Sequence, residues 1–169
     1  MLLQGKVAAI SGAASARGIG RATAKLFAEH GAKIAILDLD AAGAQAAAAE
    51  LGPDHLGLGC DVTDPESCKA AASAVLARYG QCDILLNNAG ITQPLKVMDI
   101  STANWAKVID VNLSGVLYLS QAFIPHMRAR KQGSIACMSS VSAQRGGGIF
   151  GGPHYLSVVE CFETAQAAG

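Results

Sequence analysis

No basic stripe runs through this sequence, and charge of either sign is scarce. Only 15% of its 169 residues are charged, and 13 Lys and Arg balance 13 Asp and Glu. A nucleic-acid-binding face needs concentrated cations. The nearest approach, Arg128, Arg130 and Lys131, reads as a solvated helix end. No apolar run reaches membrane-spanning length, so no membrane partner is expected. Residues 1–6 lack the charged region and long apolar core of a signal peptide. The five cysteines, Cys60, Cys68, Cys82, Cys137 and Cys161, form no Cys-x-x-Cys pair, so reduced thiols in a cytoplasmic protein are expected. His30, His55, His126 and His154 show no metal-ligand spacing, and a surface or helix-end role is expected for each. What remains is a chain that is 51% hydrophobic, without linker or internal repeat, and long enough for one domain over 1–169.

Against that background stands the stretch from Lys6 to Gly20, KVAAISGAASARGIG. Residues 7–10 read as a short buried strand, a glycine-bearing turn follows, and a helix opens near Gly18. A helix N-terminus presents unpaired N–H groups and the positive end of a dipole, which suits a pyrophosphate. In such a cradle Gly12 permits the tight turn, Gly18 lets backbone approach a ligand, and Gly20 lets the helix pack close to the strand. An ordinary strand-to-helix turn reads the same way in isolation, so the motif needs support from the rest of the chain.

Downstream, Ile19, Ala22, Leu26 and Phe27 share one helical face, and Gly31 stops that helix. Residues 33–37 read as a second strand ending at Asp38. Asp40 caps an Ala-rich helix closed by Gly52 and Pro53. Residues 55–60 make a weaker third strand, weakened by Gly57 and Gly59. Asp64 and Pro65 open a helix with Cys68, Ala72, Val75, Leu76 and Tyr79 on its apolar face, and Gly80 ends it. Residues 84–86 form a fourth strand, which runs into Asn87, Asn88, Ala89 and Gly90. Ser101 caps a long helix carrying Trp105, Val108, Ile109, Val116 and Leu117, and Pro125 should kink or interrupt it. Residues 133–139 form a fifth strand, followed by a glycine-rich loop and a helix opened by Pro153.

Strands apolar on both faces, alternating with helices, predict an α/β fold with a doubly wound parallel sheet of the Rossmann type. Ligands bind such sheets outside the carboxyl ends of the strands. Asp38, Asp61, Asn87 and Ser140 all fall there. Asp38 lies about 18 residues after Gly20, near the distance at which a carboxylate accepts from a ribose 2′-OH. Such a carboxylate repels the 2′-phosphate of NADP, so NAD is the expected cofactor. Arg17, in the glycine-rich loop, is the residue that would favour NADP.

With these residues in place, the sequence resembles the short-chain dehydrogenase/reductase family. The resemblance covers residues 5–155 and rests on Gly12, Gly18-Ile19-Gly20, Asp61-Val62, residues 87–90, Asn112, Ser139-Ser140 and Tyr155, in that order. The family's glycine motif has three residues between its first two glycines; here there are five, so the loop should bulge. By resemblance, Asp61 bonds the adenine amino group with Val62 beside the ring, and Asn88, Ala89 and Gly90 line the cofactor ribose. Asn112 is implied to hold a proton-relay water, Ser140 to bond the substrate oxygen, and Tyr155 to act as acid/base. Ser139 is expected to point away. The implied strand order is 3-2-1-4-5, with the family's last strands missing.

The implied reaction is hydride transfer between a nicotinamide and an alcohol or carbonyl compound of 3-oxoacyl thioester, sugar or steroid type. A free phenol is protonated at neutral pH, and the family favours its ionised form with a lysine four residues after the tyrosine. Here that position is Val159, followed by Glu160, and no lysine occurs after Lys131. From Leu156 through the tail 156–169 the resemblance vanishes, as a changed reading frame or an alternative end would cause. A catalytically inactive dinucleotide-binding or interaction protein is the alternative. A small-molecule substrate and a second copy of the chain are the expected partners.

Overall fold

Strand β1 (Val7–Ser11) is buried at every position and occupies the middle of a parallel sheet. Strands β2 (Lys33–Asp38) and β4 (Ile84–Asn87) flank it. β3 (Leu56–Gly59) lies outside β2, and β5 (Ser134–Cys137) outside β4, giving the order β3-β2-β1-β4-β5. The computed structural model describes residues 1–142 and 152–155. Within them the expected sheet is present in the expected order.

Alternation along each strand decides which helix its side chains meet. Val7, Ala9, Ala35, Leu37 and Leu85 face one side. There they pack with Cys68, Ala72 and Val75 of α3 (Pro65–Tyr79) and with Leu119, Phe123 and Met127 of α5 (Gly115–Arg130). Ala8, Ile10, Ile34, Ile36 and Leu86 face the other side. Their partners are Ala24 of α1 (Ile19–Glu29) and Ala44, Ala47 and Ala48 of α2 (Ala41–Leu51). Both faces are covered, which is why the strands are apolar throughout rather than alternating.

Small residues set how closely the second layer lies. A Cβ at Gly57 would stand 2.2 Å from the Ala44 carbonyl oxygen. The glycine that weakens β3 by propensity therefore lets α2 lie directly on it. Helix α1 docks in the same way, through Gly20 and Ala24. The expected face of α1 is corrected in part: Phe27 packs against this core, but Ala22 is exposed and Ile19 and Leu26 are 63% and 51% exposed, because the small Gly20 and Ala24 take the place against the sheet.

The helix caps fall where the sequence predicts. Asp40 Oδ1 accepts from the Gly43 N–H at 3.0 Å, and Asp64 Oδ1 from the Glu66 N–H at 3.0 Å. Ser101 and Asn104 form a capping box at the start of α4 (Thr102–Ile109). A π-helical segment (Asp110–Ser114) joins α4 to α5, making a continuous helical stretch of 29 residues. By length and composition alone that stretch is long and apolar enough to cross a membrane, which corrects the expectation that none is. Within it, Leu119, Phe123 and Met127 form a buried stripe that packs against the sheet. Trp105 and Leu117 are about half exposed, so they are not its packing face. Pro125 does not interrupt α5, which runs on to Arg130. Pro125 and Gln121, the residue whose carbonyl loses its partner, both lie on the exposed side, where water can serve instead.

Polar groups close the N-terminal end of the sheet. The buried Asp83 carboxylate accepts from the Val7 N–H at 2.9 Å, from Gln81 Nε2 at 2.9 Å and from Arg130 Nη1 at 3.1 Å. At the β2 edge, His55 Nδ1 accepts from the Ile34 N–H at 3.0 Å, which requires an unprotonated nitrogen. Burial lowers the His55 pKa from the ordinary 6.5, with the nearby Asp54 opposing. The unfolded chain then takes the proton first, so stability is complete above the ordinary value and is lost as pH falls toward the lowered one. Urea midpoints measured from about pH 7 down to about pH 5 should decline, and His55→Gln should flatten that decline. An unchanged slope in the variant would remove His55 from the account.

Candidate functional site

The carboxyl ends of the strands surround a cavity of about 660 Å³. Gly12, Gly18 and Ile19 line it from the β1–α1 turn, Asp38 from the end of β2, and Asp61 and Val62 from the segment after β3. Asn88, Ala89 and Gly90 line it after β4, Asn112 from the π-helical segment, Ser140 after β5, and Tyr155 from a short helical turn. Two expected residues do not line it. Arg17 is exposed in the loop, and Gly20 is buried behind the wall.

Gly20 acts through packing. A Cβ there would meet Asn88 Nδ2 at 2.5 Å and the Gly12 carbonyl oxygen at 3.0 Å. Gly12 has φ +65°, and a Cβ on it would lie 2.7 Å from Ala89 Cα. The five residues between Gly12 and Gly18 fold back: Ala13 is fully buried, and the Gly18 N–H donates to the Ser15 carbonyl at 3.0 Å. Gly18 is the N-cap of α1, with no side-chain cap and no acidic residue in the first turn. The first N–H groups of that helix are thus left to an anion.

Ser11 is a residue that sequence reading missed. Its Oγ accepts from the Asn88 and Ala89 N–H groups, both at 3.0 Å. Asn88 Nδ2 returns the contact, donating to the Ser11 and Gly12 carbonyls at 2.9 and 3.0 Å. No local pattern reveals this pair, because β1 and β4 become neighbours only in the sheet.

The acids are aimed by backbone. Asp38 Oδ2 accepts from the Ala14 N–H at 2.9 Å and Oδ1 from the Asp40 N–H at 3.1 Å. Each oxygen keeps a further acceptor site. Asp61 Oδ1 accepts from the Thr63 N–H at 2.9 Å and the Thr63 hydroxyl at 2.7 Å, while its own N–H donates to Ser67 Oγ at 3.0 Å. Lys107, about one turn before Val111 on the same helical face, is the one cation lining the cavity among the described residues. That spacing is the signal by which it could have been found.

Asn112 fastens the π-helical segment to the loop after β4. Its Nδ2 donates to the Val108 and Ile91 carbonyls at 3.0 and 2.9 Å, and its Oδ1 accepts from the Ile91 N–H at 3.0 Å. Irregular turns of this kind are frequent at functional sites. Ser140 Oγ accepts from the Ser142 N–H at 3.2 Å. Ser139 lines the cavity as well, contrary to expectation, because β5 ends at Cys137 and strand alternation stops before it. Pro153 opens a helical turn as expected, and the Tyr155 N–H donates to the Gly152 carbonyl at 3.0 Å.

His154 corrects its expected surface role. It is fully buried, with Nε2 3.4 Å from Gln93 Oε1, and it packs so close to Gly152 that a Cβ there would lie 2.7 Å from the ring. Glycines 146–148 and 151, Val159, Glu160, Cys161 and the tail 156–169 lie outside the described residues. Four cysteines are free thiols, and no cluster suited to a metal occurs among the described residues. The Cys60 thiol, which lines the cavity, is lowered by a hydrogen bond with the Cys68 thiol, with burial opposing. Cys68 is pushed up by the same bond and by burial.

A family model described as Enoyl-(Acyl carrier protein) reductase matches residues 12–155. An uncharacterized short-chain type dehydrogenase/reductase of Sinorhizobium fredii is 64% identical over 159 residues, covering 92% of this chain and 63% of its own length. D-threitol dehydrogenase of Mycolicibacterium smegmatis is 44% identical over 144 residues, covering 83% of this chain and 55% of its own length. A crystal structure of 3-ketoacyl-(acyl-carrier-protein) reductase from Brucella melitensis, complexed with NADH, has TM-score 0.89 at 32% identity over 98% of this chain and 69% of that one. The chain thus spans about 55–63% of the length of these two curated relatives. The family match begins in the glycine turn and ends at Tyr155, the last described residue of the cavity wall, and by it the chain belongs to the short-chain dehydrogenase/reductase family.

Proposed function

We propose that this chain binds a nicotinamide dinucleotide, NAD in preference to NADP, as part of an oxidoreductase acting on an alcohol or carbonyl compound. One observation carries the reading. Residues from separate strand ends, the π-helical segment and the 153–155 turn line a single cavity of about 660 Å³, within the range of small-molecule sites. The residues fit the group. Gly12 and the uncapped start of α1 suit the pyrophosphate. Asp38, oriented by two backbone N–H groups, suits a ribose hydroxyl pair, while Arg17 faces solvent. Asp61 and Val62 suit the adenine, and residues 88–90 the second ribose. When bound, the nicotinamide supplies or accepts a hydride.

In this reading Ser140 orients the substrate oxygen, Tyr155 gives or takes its proton, and Asn112 belongs to the proton relay. The D-threitol and 3-ketoacyl relatives act at a carbon bearing oxygen, the substrate chemistry adopted here. The compartment consistent with free thiols is the cytoplasm. Val159, four residues after Tyr155 where the family has lysine, favours a second reading: a dinucleotide-binding protein without catalysis. The sheet offers a partner surface too. β5 is its outer strand among the described residues, with Ser134, Ile135 and Ala136 exposed and no charge from 134 to 139. Such an edge pairs readily with a second copy.

Three outcomes follow from this reading. In fluorescence titrations NADH should bind more tightly than NADPH, and Asp38→Ala should narrow the gap by about tenfold or more, the worth of a hydrogen bond to a charged group. Tighter NADPH binding by the unmodified chain would overturn the assignment of Asp38. With a panel of ketones the 169-residue chain should bind NADH yet turn over almost none. Robust turnover would show that another base serves and would dispose of the second reading. Light scattering across a dilution series should reveal association, and a monomer with slow hydrogen exchange at residues 134–138 would refute pairing through β5.

A further inference from the structure

His154 is the neighbour of Tyr155 in the chain, yet it does not line the cavity. It is fully buried behind the wall. A leucine would fill much of that space without cost, whereas a buried ring nitrogen needs a partner. Nδ1 has none among the described residues, and a Cβ on Gly152 would lie only 2.8 Å from it. Nε2 makes the ring's one polar contact among the described residues, 3.4 Å from Gln93 Oε1. With the amide in that orientation Nε2 carries the proton and donates.

Gln93 anchors the same turn by its backbone. Its carbonyl accepts from the Gly152 and Leu95 N–H groups, both at 2.9 Å. A Cβ on Gly152 would lie 2.8 Å from the Leu95 carbonyl oxygen and 2.7 Å from the His154 ring, so loop and turn meet without a side chain between them. The Gly152 carbonyl in turn accepts from the Tyr155 N–H at 3.0 Å. The 91–95 loop is itself tied to Asn112 through both backbone polar groups of Ile91, at 3.0 and 2.9 Å. It therefore carries the 152–155 turn at two points, one through backbone and one through the imidazole. A turn held at one point can still rotate about it; a second point removes that freedom.

We propose that His154, through Gln93, is the positioning residue for Tyr155 and sets the angle at which the phenol enters the cavity wall. Residues 153–155 are helical, and successive side chains of a helix point about 100° apart. With His154 fixed inward, Tyr155 is carried round to the cavity side, where it lines the wall. Proton transfer requires the phenol within hydrogen-bond reach of the substrate oxygen, so the angle matters to the chemistry. That use of the angle rests on the nicotinamide reading above; the placement of Tyr155 in the free chain does not.

The test uses the intact 169-residue chain labelled with 3-fluorotyrosine, in which Tyr79, Tyr118 and Tyr155 give three fluorine resonances assigned by Tyr→Phe substitution. The Tyr155 resonance should stand apart from that of free 3-fluorotyrosine. His154→Leu removes the donor and should move Tyr155 toward the free position while Tyr79 and Tyr118 stay in place. His154→Gln, whose amide N–H can reach the place of Nε2, should restore the Tyr155 resonance. Gln93→Leu should act as His154→Leu does, and the double variant should do no more, because the same link is lost. An unmoved Tyr155 in His154→Leu overturns the proposal. So does a His154→Gln chain in which Tyr155 stays displaced. If all three resonances move in His154→Leu, the half-buried Gln93 decides: an unmoved Tyr155 in Gln93→Leu overturns the proposal. Saturating NADH should shift Tyr155 in the unmodified chain and in His154→Gln, and lose that shift in His154→Leu. An equal shift in His154→Leu counts against the positioning role. No shift in the unmodified chain would instead refute the nicotinamide reading, while the resonances without nucleotide still decide the role of His154.

Discussion

A Cβ on Gly20 would lie 2.5 Å from Asn88 Nδ2 and 3.0 Å from the Gly12 carbonyl oxygen, so it would displace an amide that is hydrogen-bonded to the Ser11 and Gly12 carbonyls. That close approach is the constraint on which the cavity depends. It lets α1 begin against the junction of β1 and β4, where Ser11 and Asn88 exchange hydrogen bonds with each other's backbone. Two short polar side chains thereby satisfy backbone groups of two chain segments at once, residues 11–12 and 88–89, which an apolar junction would leave unpaired. Once the junction is tight, the N-terminus of α1 and residues 88–90 are forced onto the same wall.

The sheet supplies the remaining placement. Because alternate residues of β1 pack against opposite helical layers, a slip of one residue would exchange the two cores. Register is therefore held firmly, and with it the strand ends that carry Asp38 and Asn87. On the α2 side the layer is built from alanine and glycine, so the helix lies close enough for backbone to meet backbone. On the α5 side Leu119, Phe123 and Met127 fill a wider gap. The cavity wall inherits this asymmetry: turns from β1, β2 and β3 on one side, and the π-helical segment with Lys107, Val111 and Asn112 on the other.

Charge inside the cavity is sparse and directed. Asp38 and Asp61 spend part of their acceptor capacity on neighbouring N–H and O–H groups, which fixes their orientation without neutralising them. Lys107 is the one described cation among the lining residues, and Arg17, inside the glycine motif, stays in solvent. The insert in the glycine loop explains that difference. The Gly18 N–H closes a turn onto the Ser15 carbonyl, and Arg17, inside that turn, faces out.

By itself the sequence determined the order of elements, because the signals are local. Asp40, Asp64 and Ser101 cap their helices through contacts two or three residues away, and apolar strands bounded by turn residues announce a buried parallel sheet. Most of the site was legible for the same reason: strand ends are marked in the chain, and ligands gather at strand ends. What was not legible depends on partners distant in sequence. Ser11 looks like an ordinary strand residue until β4 lies beside it, and Gly57 looks like a strand breaker until α2 rests on it. Ile19 and Leu26 looked like a packing face, but only the sheet decided that Gly20 and Ala24 would fill that place. Helical spacing groups residues on a face. Which face is buried depends on the distance at which another surface can approach, and that distance belongs to the tertiary structure.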